Sequence, residues 1–197
     1  MKTGTLTVYA GSMYAGKTTA LIAELEASLE ENKNVLVIKP VIDDRYSNDD
    51  IVSHDGTSLQ KTTGHAVRRL GINETLDELD VEGVDVLLVD EAQFFKDLCE
   101  ESIPLILASG VDVVAVGLDM DSEGQPFGSM PYLLALANNV YKLSGVCSVC
   151  GDEATRTFRK VNASSSAQVL IGGIETYEPR CLGHWIEGQK EKNKFFN

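Results

Sequence analysis

Four short runs stand out along the chain: TLTVYA at 5–10, VLVIK at 35–39, VDVLLVD at 84–90 and VDVVAVG at 111–117. Each is rich in β-branched residues, nearly continuous in apolar character and bounded by Gly, Asn, Asp or Pro. Continuous rather than alternating apolar runs mark strands buried on both faces. Between the first two, KTTALIAELEASLEENKN places Leu21, Ile22, Leu25 and Leu29 at helical spacing, with a glutamate-rich opposite face and an asparagine stop. This predicts one βαβ unit. LCEESIPLILAS at 98–109 and MPYLLALANN at 130–139 read as further helices, so strands and helices alternate to residue 143. Such alternation predicts an α/β fold, with a parallel sheet flanked by helices on both faces.

After Ser144 the texture changes. Paired cysteines are followed by the polar RTFRKVNASSSAQ, then VLIGG, then a lysine-rich tail at 190–194 that is expected to be disordered. The expected division is therefore 1–143 for the α/β domain and 144–197 for a small second domain with its tail. There is no internal repeat, and SSS at 164–166 is the one low-complexity patch.

Charge and composition narrow the function. With 17 Lys+Arg against 30 Asp+Glu in 197 residues, the net charge is 17 − 30 = −13. An acidic exterior repels phosphate backbones and anionic lipid, so nucleic-acid and membrane-surface partners are not expected. At 43% hydrophobic and 24% charged, the composition is that of a globular protein and excludes disordered and fibrous classes. No run approaches the roughly 18 apolar residues of a membrane helix, and MKTGTLTVYAGSM holds too short an apolar stretch for a signal-peptide core. A cytoplasmic protein is expected, in which four cysteines are metal ligands or core residues rather than disulfides.

Gly11-Ser12-Met13-Tyr14-Ala15-Gly16-Lys17-Thr18 matches GxxxxGK[ST] and lies between a predicted strand and a predicted helix. In that setting backbone N–H groups turn inward around phosphates. Lys17 supplies a charge to the β and γ oxygens, Thr18 offers a hydroxyl to Mg²⁺, and the helix N-terminus adds its partial positive charge. The motif predicts binding of a nucleoside triphosphate.

VLLVDEAQFF closes a buried strand with Asp90 and Glu91. An aspartate at such a strand end commonly holds the magnesium ion opposite the phosphate-loop hydroxyl. Because strand side chains alternate, Glu91 points elsewhere. It is a candidate base for an attacking hydroxyl or, alternatively, a positioner of hydrolytic water. These motifs alone do not separate a kinase from an ATPase.

Cys147-x-x-Cys150 and, after 30 intervening residues, Cys181-x-x-His184 supply two chelating pairs. Three thiolates and one imidazole form a closed tetrahedral site, the arrangement of structural zinc. Cys99, inside a predicted helix, is expected in the core, and Trp185 beside the metal module. His54 and His65 read as surface loop residues, and the acidic face of residues 24–31 as solvated helix surface.

Taken together, GSMYAGKTT, VIKPVIDDRYS, VDEAQFF, GLDMDSEGQPFG, YKLSGVCSVCGDEATRTFRK and GGIETYEPRC, in that order, resemble the type II (cellular and bacterial) thymidine kinases over residues 5–185. The resemblance implies transfer of the ATP γ-phosphate to the 5′-hydroxyl of thymidine with Mg²⁺, a structural zinc in a small second domain, a homotetramer and feedback inhibition by thymidine triphosphate (dTTP). It implies that Glu91 is the catalytic base and Asp90 the magnesium carboxylate, with Asp43 and Arg45 near the transferring phosphate and substrate hydroxyls. Met13, Phe94, Leu118 and Phe127 match positions lining the nucleoside pocket. Thr157, Leu170, Gly172 and Tyr177 match a lasso-like loop closing over the base. Two departures stand out: Ser122, where many relatives have an aromatic, and Gln168, where they have valine. The rival readings are a phosphate-loop ATPase and a nucleotide switch joined to a zinc ribbon.

Overall fold

The computed structural model describes residues 2–41, 67–71, 81–95, 98–160 and 172–194. Asp43, Arg45, His54, His65, the serine patch, Gln168 and Leu170 lie outside these residues.

The predicted runs form strands β1 (Leu6–Gly11), β2 (Val35–Pro40), β4 (Val86–Val89) and β5 (Asp112–Gly117). They join β3 (Val67–Leu70) and β6 (Asn139–Leu143) in a six-stranded sheet of order β3-β2-β4-β5-β1-β6, parallel throughout. The pairing of β1 with β5 puts Leu6 beside Val113 and Ala10 beside Gly117, so the strands that carry the chemistry end at one edge.

Helices cover both faces, as the alternation requires. Helix α1 (Lys17–Glu30) lays Leu21, Ile22 and Leu25 on Val37, Val86, Leu88, Val114 and Val116. On the other face, α2 (Ile103–Ala108) and α3 (Met130–Leu136) bring Ile103, Ile106, Met130 and Leu133 against Leu6, Val8, Leu87, Val89, Val113 and Ala115. Alternate residues of one strand thus feed two cores. Fully burying each such side chain contributes about 1.5–3 kcal/mol. Cys99 sits in the second core as expected, and burial pushes its thiol up to about 12 against a smaller opposing hydrogen bond from Ser129.

Five elements differ from expectation. Strands β3 and β6 are sheet edges, so a long apolar run is not demanded of them. Arg68 and most of β6 are exposed. The predicted helix over 98–109 opens as a π-helical turn at Leu98–Ser102 and becomes α-helical only from Ile103. Pro104, lacking an N–H, stands where a first helical turn tolerates it. Helix α3 stops at Leu136 because Ala137 turns extended (φ −61°, ψ 139°), which feeds the chain into β6. The expected disorder at 190–194 is wrong: α4 runs over Leu182–Lys194. Lys192 lies 4.2 Å over the Phe158 ring, so the tail lysines belong to a helix packed on its neighbour.

The cysteine-rich stretch is built from two small antiparallel pairs. One joins β7 (Gly145–Val146) to β8 (Glu153–Ala154), and the other joins β9 (Arg156–Arg159) to β10 (Tyr177–Arg180). Among the described residues no helix is long and apolar enough to cross a membrane.

Candidate active site and metal centre

Ligands of open parallel sheets bind outside the carboxyl ends of the strands, and the candidate residues gather there. The phosphate loop leaves β1 at Gly11 and enters α1 at Lys17. Tyr14 (φ 64°) and Gly16 (φ 80°) both take the left-handed conformation that folds successive backbone N–H groups into an anion-binding concavity. Lys17 bends back so that its Nζ donates to the Ser12 carbonyl at 2.7 Å, poised over the loop. Thr18 follows in the first helical turn, half-buried.

Two strands away, β4 delivers Asp90 and Glu91. Asp90 is 7% exposed, and its Oδ1 accepts the Glu91 N–H at 3.0 Å. Glu91 holds a left-handed backbone (φ 49°, ψ 45°) that non-glycine residues rarely adopt and opens a single 3-10 turn at Ala92–Phe94. The turn swings Phe94 against Phe127, ring centroids 5.6 Å apart and nearly perpendicular. Two predicted pocket residues 33 positions apart are thus in contact. Leu118, a third, follows β5 and donates its N–H to Gln93 Oε1 at 3.0 Å.

The cysteine-rich stretch reaches the same place. The Met13 N–H donates to Thr157 Oγ1 at 2.9 Å, and the Ser12 hydroxyl to the Ala154 carbonyl at 3.3 Å. Thr157 and Tyr177 are buried on β9 and β10. The Lys160 N–H donates to the Thr176 carbonyl at 2.7 Å, closing the pair just before residue 161 and just after Gly172. The start and end of the predicted lasso are therefore held together.

Cys147, Cys150, Cys181 and His184 converge as their spacing predicts, with one ligand atom from each, all within 4.8 Å of one another. Cys150 Sγ lies 3.9 Å from Cys181 Sγ, while His184 Nδ1 lies 3.1 Å from Cys181 Sγ and 3.8 Å from Cys147 Sγ. Two sulfurs on a tetrahedral zinc stand about 3.8 Å apart, given Zn–S bonds of about 2.3 Å, so the group can bind zinc. Burial works against ionising Cys147, but the N–H groups of Cys181, Cys150 and Val149 together outweigh it and bring the thiol down to about 6. Cys150 receives an N–H from Asp152, yet burial, the Asp152 carboxylate and the neighbouring thiols push it up to about 12. Without a cation the cluster resists carrying several thiolates; a divalent ion removes that resistance.

Trp185 does more than pack beside this centre. Its indole N–H donates to the Ser122 carbonyl at 3.2 Å, Gln189 Nε2 donates to the same oxygen at 2.7 Å, and its ring lies over Gly124. Helix α4 is thereby tied to the loop after β5. Sequence reasoning missed this link and also Gln93, whose only signal was a polar residue inside the otherwise apolar AQFF.

A phosphate loop at one strand end and carboxylates at another define a protein of the phosphate-loop class. The thymidine kinase family model matches residues 4–185. The chain belongs to the thymidine kinase family.

Proposed function

We propose that this protein transfers the γ-phosphoryl group of ATP to the 5′-hydroxyl of thymidine, giving thymidine monophosphate for pyrimidine deoxynucleotide salvage. The observation that supports the reading is the hydrogen bond from the Met13 N–H to Thr157, which joins the phosphate loop to the β9–β10 hairpin, with Asp90 and Glu91 at the carboxyl end of the same sheet two strands away. In this reading the 5′-oxygen attacks the γ-phosphorus, the bond to the β–γ bridging oxygen breaks, ADP leaves, and Glu91 accepts the hydroxyl proton. The transition state is loose, so catalysis is mainly positioning and charge stabilisation. Lys17 and the loop N–H groups orient the triphosphate. Arg45 offsets charge on the equatorial oxygens, and Asp43 orients the substrate hydroxyls.

Thr18 and Asp90 offer the hard oxygen donors that suit magnesium. Magnesium held by these two residues would supply charge neutralisation to the triphosphate. Met13, Phe94, Leu118 and Phe127 line the nucleoside pocket, and Thr157, Leu170, Gly172 and Tyr177 close over the base. Zinc on the Cys147, Cys150, Cys181 and His184 group is structural in this reading, fixing the ends of the lasso within residues 144–197. The family resemblance further supports a cytoplasmic homotetramer with feedback inhibition by dTTP.

The test is ADP formation from ATP and Mg²⁺ with and without thymidine. A kinase releases ADP only with the nucleoside, whereas comparable release without it favours the ATPase reading, with Glu91 positioning water. Deoxyuridine, lacking one methyl, is expected to serve as substrate and deoxycytidine poorly, because a hydrogen-bonding pocket discriminates polar edges better than methyl groups. Equal specificity constants for the three would overturn the base-recognition part. Glu91→Gln is expected to lower kcat on the order of 10² to 10⁴-fold.

A further inference from the structure

Gln93 is 3% exposed, in the 3-10 turn two residues after Glu91. Its Oε1 accepts the Leu118 N–H at 3.0 Å, which fixes the orientation of the amide: the flipped form would set one donor against another. Nε2 therefore faces Glu91 and donates to Oε2 at 2.6 Å. The amide has no slack around it. A Cβ at Gly117 would collide with Gln93 Oε1 and with Met130 Sδ, and one at Gly128 with the Gln93 carbonyl. The Ser129 hydroxyl donates to the Ala92 carbonyl at 2.7 Å, tying the same turn to the start of α3.

These restraints on Ala92 and Gln93 directly follow Glu91, whose own backbone is left-handed. Such a conformation persists only where its neighbours over-determine it. A short hydrogen bond from a neutral amide to a carboxylate does two things: it selects one side-chain rotamer, and it favours the ionised form, the form able to take a proton. Because the other end of the amide is anchored on the Leu118 backbone, the carboxylate is referenced to the end of β5 as well as to its own strand.

We propose that Gln93 is a positioning residue for Glu91, holding its carboxylate in place for proton acceptance and tying it to Leu118 at the end of β5. This rests on Glu91 being the base. The bland counterpart is a buried glutamine that merely satisfies the Leu118 N–H, and the two differ in what they do to turnover.

The experiment is a double-mutant cycle on the zinc-loaded full chain, using Glu91→Gln, Gln93→Met and the pair, with kcat, thymidine KM and Tm measured for each. Methionine keeps the volume of glutamine and removes both hydrogen bonds. Gln93→Met is expected to lower kcat on the order of 10²-fold, the cost of a mispositioned catalytic group, with thymidine KM changed less than about threefold. In the Glu91→Gln background the same change should cost less than about twofold more, since there is no base left to position. Gln93→Asn keeps a buried amide one methylene too short to span both partners, and should reproduce the kcat loss should the methionine variant fold poorly.

The proposal is overturned where folded Gln93 variants keep kcat within about threefold of wild type, or lose the same factor in both backgrounds. A rise in KM alone overturns it too. Should Glu91→Gln itself turn over normally, the base assignment fails and the proposal with it. A crippled Glu91→Gln beside an unimpaired Gln93→Met removes the proposal alone.

Discussion

The parallel sheet and the cysteine-rich stretch meet at Met13, yet they owe their order to different sources. In the sheet, Leu6, Val8, Leu87, Leu88, Val89 and Val113 are fully excluded from solvent between helices on two faces. In the cysteine-rich stretch the strands are two to four residues long, and Val146 and Val149 stand 68% and 55% exposed. Ala154, Thr157, Phe158 and Tyr177 are buried there, too little apolar surface to order so small a unit unaided. Its remaining order draws on the two hydrogen bonds to the phosphate loop, on those from Trp185 and Gln189 of α4 to the Ser122 carbonyl, and on four side chains placed so that they can hold one metal ion. The difference teaches that one site can be assembled from a region fixed by burial and a region with little buried surface that a metal ion could brace; in the proposed reading the two should fail separately.

Four substitutions probe that separation, in order of expected effect. Lys17→Met, on the sheet side, should lower kcat/KM for ATP on the order of 10³-fold, as loss of a preorganised charge contact does, while elemental analysis still finds one zinc per chain. Loss of the metal in this variant would show that the two regions are not independent. Leu87→Ala should cost about 2–5 kcal/mol through the cavity it leaves in the sheet, lowering Tm by about 5 to 15 °C. A drop much smaller than that, read by thermal denaturation, would place less of the stability in the sheet than burial implies.

At the junction, Thr157→Val deletes the acceptor of the Met13 N–H. A lost hydrogen bond of this kind is worth about 1 kcal/mol, so thymidine KM should rise roughly fivefold with Tm little changed. An unaltered KM would detach the hairpin from nucleoside binding. Lys142→Ala breaks the 2.7 Å pair with Asp119 at a side chain 57% exposed. Less than about 1 kcal/mol is expected, and the small loss should shrink further at high salt.

The sheet was legible because its central strands need continuous apolar runs, and β1, β2, β4 and β5 all carry them. Its edge strands were not, since among the described residues VRRL and NVYKL each pair with a strand on one side only. The metal group was legible because short-range chelate spacing is written locally, twice. Helix α4 was not, because its partners Phe158 and Ser122 lie far away in the chain. Within the site, the phosphate loop and the two carboxylates were visible as motifs. The left-handed backbone of Glu91 and the reach of Gln93 to Leu118, 25 residues on, depend on tertiary packing and leave no periodic trace.

The most direct test of the two-source account is a pair of calorimetric titrations on protein stripped of metal by a chelator, one with a non-hydrolysable ATP analogue and Mg²⁺ and one with thymidine. The account predicts that the analogue binds within about fivefold of its affinity for the zinc-loaded protein, a change of about 1 kcal/mol, while thymidine binding is lost and returns on adding one equivalent of Zn²⁺. Thymidine binding that survives metal removal, or analogue binding that disappears with it, would contradict the account.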